Sequence, residues 1–240
     1  MFENDIEQLT IQRLQEIGYT YLHGPYISPD GEIPERRSFD DVLLLGHLKD
    51  AIDRINPHVP AHAREEALRQ IDRIGAPELL AGNEAFHRVL TEGVKVSYQS
   101  SGAERGDLVW AIDFNTPQNN NFVVANQFTI IENGQNKRPD VILFVNGIPL
   151  VVIELKNATD EKATIGAAYK QLETYKATIP SLFTYNGLLV ISDGLEAKMG
   201  SLSATLSRFM AWKTADGKAE ASPLISQLET LIIGMLKPEV

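Results

Sequence analysis

The stretch RPDVILFVNGIPLVVIELKN, Arg138 to Asn157, limits what this chain can fold into more than any other. Two apolar, β-branched runs flank Asn146-Gly147, the dipeptide that most readily takes the positive φ angles of a tight hairpin turn. A buried hairpin is therefore expected here. It carries charges where an apolar strand should have none: Asp140 opens the first strand, and Glu154 and Lys156 stand near the end of the second. Charges buried in such surroundings need partners.

Side chains alternate along a strand, so Glu154 and Lys156 share a face and Leu155 points to the other. Whether Asp140 joins them depends on the turn. A plain two-residue Asn-Gly turn pairs Val145 with Ile148 and sets Asp140 opposite Ile153, on the wrong face for Glu154. A three-residue loop with Gly147 in the left-handed position pairs Phe144 with Ile148 and brings both acids to one face. Convergence of the acids thus requires an odd loop, a bulge, or an Asp140 that has left the ladder.

If they converge, two carboxylates with the backbone carbonyl of Leu155 form an all-oxygen site. That donor set suits Mg²⁺, which keeps several waters and takes one or two carboxylates plus substrate phosphate. A metal there lowers the pKa of a water and offsets charge on a phosphoryl transition state, while Lys156 can orient that water or stabilise the developing charge. The bland alternative is a pair of strand-end charges that reach water, and the apolar context VVIELK weighs against it. Gln171 and Tyr175, i and i+4 on a helix just downstream, project an amide and a phenol from one face. By itself such a pair is more typical of a solvated helix surface. Glu7 is similar, lying on the apolar face of the first helix beside Ile11 and Leu14, where a long side chain often snorkels to water.

Around the hairpin, the sequence reads as helices followed by strands. Amphipathic helical patterns cover Asn4 to Ile17 (Asn4 as cap, Gly18 as stop), Asp40 to Ile55, Ala61 to Ile74 and Pro77 to Glu92. A turn-rich segment, YLHGPYISPDGEIPERRSF, follows the first. From about Lys95 the period becomes that of strands, with DLVWAIDF (Asp107 to Phe114) and NFVVANQFTII (Asn121 to Ile131). EKATIGAAYKQLETYKATI then predicts a helix ended by Pro180, YNGLLVISDG a short buried strand, and Pro223 to Leu236 a last helix. The fold class expected is α/β, a mixed central β-sheet flanked by helices with a helical N-terminal part. It is read as one domain over 1–240: helical to about 94, sheet core from about 95 to 220, and a C-terminal helix at about 222–236.

Composition narrows the chemistry. With 240 residues, 43% of them hydrophobic, the chain can bury a core. The absence of cysteine removes disulfides, thiolate metal sites and cysteine nucleophiles. A net charge of −10 argues against a general nucleic-acid coat, yet carboxylates that hold a divalent cation add to such a count. No apolar run is long enough to span a membrane and the start, Met1-Phe2-Glu3-Asn4-Asp5, is acidic, so no membrane association and a cytoplasmic location are expected. The five histidines form no HExxH pattern, and no phosphate-binding G-x-x-x-x-G-K-[ST] loop occurs. Arg36, Arg37, Lys137 and Arg138 are candidate phosphate contacts.

Asp140, Glu154-Leu155-Lys156 and Gln171-x-x-x-Tyr175 together resemble the PD-(D/E)xK nucleases that carry an accessory QxxxY motif. More closely, the chain resembles the N-terminal nuclease domain of the R (restriction, motor) subunit of type I restriction-modification enzymes. Four stretches carry the likeness in family order: DIEQLTIQRLQEIGY, SFDDVLLLGHLKDAIDRINP, DFNTPQNNNFVVANQFTI and RPDVILFVNGIPLVVIELKN. The ending SPLISQLETLIIGMLKPE resembles the lead into the motor domains.

The resemblance implies a restriction-endonuclease-like core in which Asp140 and Glu154 bind Mg²⁺, Lys156 assists the attacking water, and Gln171 and Tyr175 support DNA cleavage or its coupling to the motor. Glu7 matches a helix-one acid that contacts the metal or its waters in related nucleases. It further implies an excised N-terminal part of a longer subunit, with ATP bound only in motor domains absent from this chain. The implied partners are double-stranded DNA and the methylation and specificity subunits. The expected activity is cleavage of DNA phosphodiesters at non-specific positions. The competing readings are a non-catalytic docking module of a multisubunit DNA motor and a stand-alone repair-type nuclease.

Overall fold

The computed structural model describes residues 3–75, 77–157 and 165–239. The chain runs α1 (Glu3–Glu16), β1 (Thr20–His23), α2 (Leu45–Ile55), α3 (Ala61–Asp72), α4 (Leu79–Glu92), β2 (Val94–Ser100), β3 (Ala103–Val109), β4 (Phe122–Asn126), β5 (Ile130–Glu132) and β6 (Gln135–Lys137). It continues through β7 (Val141–Val145), β8 (Ile148–Leu155), α5 (Ile165–Thr178), α6 (Pro180–Thr184), β9 (Leu188–Ser192), β10 (Ala197–Gly200) and α7 (Gln227–Met235). A six-stranded mixed sheet has the order β1-β4-β7-β8-β9-β10, parallel at β1/β4 and β8/β9 and antiparallel elsewhere. The ribbons β2-β3 and β5-β6 stand apart from it.

Each face of the sheet is covered by helices. On one side α1 and α7 pack Ile6, Leu14, Leu231 and Ile232 against Val124, Val141, Leu143, Ile153 and Val190. On the other, α2 to α6 contribute Leu48, Ile52, Phe86, Leu172 and Phe183 against Val123, Ala125, Ile142, Val152 and Ile191. The central strands are therefore apolar on both faces, which is why their sequences read as near-continuous hydrophobic runs. No helix among the described residues is long and apolar enough to cross a membrane.

The hairpin β7-β8 has a two-residue turn, with Asn146 at φ 51° and Gly147 at φ 80°, and Val145 pairs with Ile148. That is the turn which alone would separate the acids. The ladder does not stay in that register. Phe144 pairs with Pro149 but Leu143 pairs with Val151, so Leu150 is an extra residue in β8, a bulge. From there Ile142 faces Val152 and Val141 faces Ile153, and one further step sets Asp140 opposite Glu154. By alternation both fall on the face of Ile142 and Val152.

The turn itself is fixed from outside. The Gly147 carbonyl accepts the Leu44 N–H at 2.9 Å, and the fully buried Asn146 accepts the Asn121 N–H at 2.7 Å through its side-chain oxygen while giving its amide hydrogens to Ala111 O and Asn120 Oδ1, each at 2.8 Å. Next to it, His47 reaches Asn121 Oδ1 at 2.9 Å through Nδ1 and Glu35 Oε2 at 2.8 Å through Nε2.

Several sequence expectations are adjusted. The second helix begins at Leu45 rather than Asp40, because Asp41 is taken by the Arg37 guanidinium at 3.0 Å and Leu44 by the turn. The strand expected over DLVWAIDF stops at Val109: the Asn56 side chain bonds both the N–H and the carbonyl of Trp110, replacing a ladder partner. NFVVANQFTII divides at Gln127, φ 53°, into β4 and β5. Pro180 ends one helix and opens the next, α6. The last helix starts at Gln227, where Ser226 caps it by accepting the Glu229 N–H at 3.1 Å. The start expected for the helix at Glu161 lies outside the described residues.

Two predictions follow from the turn. A Cβ on Gly147 would meet Leu44 O at 2.3 Å in a left-handed backbone, so Gly147→Ala should lower the unfolding free energy by about 2 kcal/mol or more, measured by urea denaturation. The hydrogen bond with Glu35 raises the His47 pKa above its ordinary value, against the opposing effect of burial. A raised folded-state pKa gives stability that is complete below the unfolded value of about 6.5 and is lost as pH rises through the folded value. Calorimetric melting should accordingly show the advantage of the wild type over Glu35→Gln greatest at mildly acid pH and shrinking as the solution becomes alkaline.

Candidate active site

Asp140 stands just before β7, and its Oδ2 accepts the Leu155 N–H at 2.7 Å. The acid is thereby tied across the hairpin to the backbone of the residue after Glu154. Glu154 is 1% exposed, and Lys156 Nζ donates to its Oε1 at 2.7 Å and to the Leu155 carbonyl at 2.8 Å. The Lys156 N–H continues the pairing of β8 with β9 through Ser192 O at 2.8 Å. The bulged register, the strand pairing and these bonds bring Asp140, Glu154, Leu155 and Lys156 to one end of the hairpin, as the sequence required.

The donor set fits a hard cation. Glu154 Oε1 and the Leu155 carbonyl already hold a positive charge between them, the Lys156 ammonium, and Asp140 adds a carboxylate bonded to the same Leu155 peptide unit. The three donor groups all offer oxygens, a set that would suit Mg²⁺ with its retained waters. Among the described residues no group of three or more His, Asp or Glu side chains is arranged to hold a metal.

Glu7 is bonded at the end of β4. It is 5% exposed on α1, which covers the opposite face of the sheet, and its Oε1 accepts the Asn126 amide at 2.5 Å and the Gln127 amide at 3.3 Å. Asn126 in turn accepts the Tyr21 hydroxyl at 2.8 Å, and burial, followed by the charge on Glu7, raises the Tyr21 pKa. Asn126 pairs with Val141, so this cluster braces the strand that carries Asp140.

Tyr175 is 4% exposed rather than solvated, and its hydroxyl donates to the Arg138 carbonyl at 3.2 Å. The motif on α5 therefore reaches the backbone two residues before Asp140. Gln171, one turn earlier, is half-buried. Of the basic candidates, Arg36 is withdrawn from any surface role: it is 4% exposed, its guanidinium lies 3.8 Å from the Phe128 ring centre, and burial lowers its pKa to about 10. Arg37 is paired with Asp41 and Asp72, and Arg138 stays exposed beside the acids. Sequence reading missed Tyr21, Asn126 and Gln127, and the Asn-Gln pair that ends β4 was the available signal.

A mixed sheet flanked by helices, with an acid entering one central strand and an acid and a lysine leaving its neighbour, defines a restriction-endonuclease-like α/β protein. The chain belongs to the family of type I restriction enzyme R protein N termini, whose family model matches residues 1–208. It is similar to the type I restriction enzyme HindI endonuclease subunit of Haemophilus influenzae, 40% identical over 240 residues, covering 99% of this chain and 23% of that protein. It is similar also to a provisionally named MjaIXP endonuclease subunit of a type I restriction enzyme from Methanocaldococcus jannaschii, 32% identical over 254 residues, covering 98% of this chain and 24% of that one. The chain thus spans about a quarter of the length of these relatives.

Replacing Tyr175 by Phe removes the donor to Arg138 O without opening a large cavity. Urea unfolding should show a loss of about 1 kcal/mol, the net value of one buried hydrogen bond.

Proposed function

We propose that this chain is the Mg²⁺-dependent endonuclease domain of a type I restriction enzyme R subunit, spanning residues 1–240. It cleaves double-stranded DNA phosphodiesters at non-specific positions. In the full subunit that cleavage is coupled to ATP-driven translocation by motor domains outside this chain. The observation that carries the reading is the meeting of Asp140, Glu154, the Leu155 carbonyl and Lys156 at one strand end, through a bulge whose register alone brings the acids together.

Within this reading Asp140, Glu154 and the Leu155 carbonyl hold the metal. When bound, the ion supplies a more acidic water and neutralises charge on the phosphate. Lys156 then turns its ammonium from Glu154 toward the attacking water or the developing charge on phosphorus. Tyr175 steadies the Arg138 peptide, and so the entry to Asp140, while Gln171 on the same helix face lies one turn nearer the start of α5. Arg138, exposed beside the acids, contacts DNA phosphate. Glu7 holds the end of β4 through Asn126, next to the strand that carries Asp140, and from there contacts the metal or its waters. The methylation and specificity subunits of the complex supply site recognition, in keeping with the net charge of −10 on this chain, which leaves little for binding DNA alone.

The test is Glu154→Ala and Lys156→Ala in the assembled enzyme, with DNA cleavage and ATP hydrolysis measured side by side. Cleavage should fall by about a hundredfold or more with ATP hydrolysis retained. Normal cleavage by either variant would remove that residue from the mechanism.

A further inference from the structure

The bulge at Leu150 decides whether the two acids meet; Pro149, which has no N–H to give the ladder of a central strand, favours an irregularity there without fixing the carbonyl of the extra residue. The turn register, continued without a bulge, pairs Val145 with Ile148 and would carry Asp140 to Ile153. The extra residue is also held from outside the hairpin.

That contact comes from the segment between α6 and β9. Asn186, fully buried, donates its side-chain amide to the Leu150 carbonyl at 3.2 Å and to the Leu188 carbonyl at 2.9 Å. The Gly187 N–H adds a second bond to Leu150 O at 2.8 Å. Asn186 is itself held from α4: its main-chain carbonyl accepts the Asn83 amide at 2.8 Å and lies 3.0 Å from His87 Nε2. Asn83 extends the same amide to Phe183 O and Thr184 O at 3.2 Å. Among the described residues the buried Asn186 Oδ1 has no hydrogen-bond partner, and the side chain is oriented by what it donates.

We propose that Asn186 is a positioning residue: with the Gly187 amide it clamps the carbonyl of the extra residue Leu150, and so keeps Glu154 in register with Asp140. The proposal rests on the reading of those two acids as the cleavage centre. A bulge leaves the backbone of its extra residue outside the regular ladder, and a donor aimed at that carbonyl favours the bulged register over the slipped one. The turn, fixed by Asn146 and Gly147, supplies the other anchor; between the two there is one residue too many for a straight strand.

The experiment uses the assembled enzyme and follows cleavage against Mg²⁺ concentration. Asn186→Asp sets a carboxylate against two carbonyls; its cleavage should fall about a hundredfold, as for a displaced catalytic group, with half-saturating Mg²⁺ about tenfold higher. Asn186→Ser, which keeps a donor, should recover part of both. Ile71→Val, a mild core change in α3, should lower the melting temperature yet leave the Mg²⁺ dependence unmoved. Wild-type Mg²⁺ dependence in Asn186→Asp, beside an inactive Glu154→Ala, would overturn the clamp while leaving the nuclease reading in place. Should Glu154→Ala cleave normally, the nuclease reading fails instead. The clamp is then decided by cross-strand proton contacts in Asn186→Asp: loss of the Leu143 to Val151 pairing supports it and retention overturns it. If Asn186→Asp does not fold, Asn186→Ser carries the same measurements.

Discussion

One unmatched residue, Leu150, governs the rest of this structure. A tight Asn146-Gly147 turn and a straight ladder would have placed Asp140 and Glu154 on opposite faces of the sheet, and the bulge brings them to the same one. Because side chains alternate with a period of two, a shift of one residue changes everything that lies beyond it. The hairpin is therefore gripped on both sides of the irregularity. Asn146, Gly147 and Leu44 hold the turn, and Asn186 with Gly187 holds the bulge. Both grips are backbone carbonyls met by buried amides, which fix position more sharply than apolar packing does.

The same economy recurs around the acids. Asp140 is bonded to the Leu155 peptide, Tyr175 to the Arg138 peptide, and Glu7 to Asn126 at the end of the adjacent strand. Each of these side chains acts first on a strand end. The polar groups of this region form a frame as much as a site, and the frame explains why a buried hairpin tolerates charge: Glu154 and Lys156 offset each other at 2.7 Å. Without such pairing a carboxylate this buried would cost several kcal/mol.

How much of this could be read in the sequence depended on whether the decisive contact was local. The hairpin, α1, α3 and α4 follow from periodicity and turn residues within their own segments, and Gly18 stops α1 where expected. The four-residue β1 was hidden in a turn-rich stretch because its partner, β4, is parallel and about a hundred residues away. The strand through Trp110 was overextended, since its backbone is satisfied by the side chain of Asn56, which ends α2 some fifty residues earlier. The ribbon β5-β6, turning at Asn133-Gly134, carried a legible turn signal but strands too short to show alternation. At the site, the need for a bulge was legible from the parity of Asp140 and Glu154. Its place had one signal within β8, Pro149, which cannot give a ladder N–H and belongs beside a bulge, whereas the donor from Asn186 left none. Arg36 misled for the opposite reason: a lone arginine in a loop looks solvated until Phe128 is folded over it.

In the proposed function the bulged register makes one cation site from Asp140, Glu154 and the Leu155 carbonyl. The most direct test replaces Mg²⁺ by paramagnetic Mn²⁺ and follows the backbone amide resonances of the protein. Line broadening should be confined to the ends of β7 and β8, around Asp140, Glu154 and Leu155, and should disappear in Asp140→Asn. Broadening centred on other acids, or unchanged by that substitution, would contradict it.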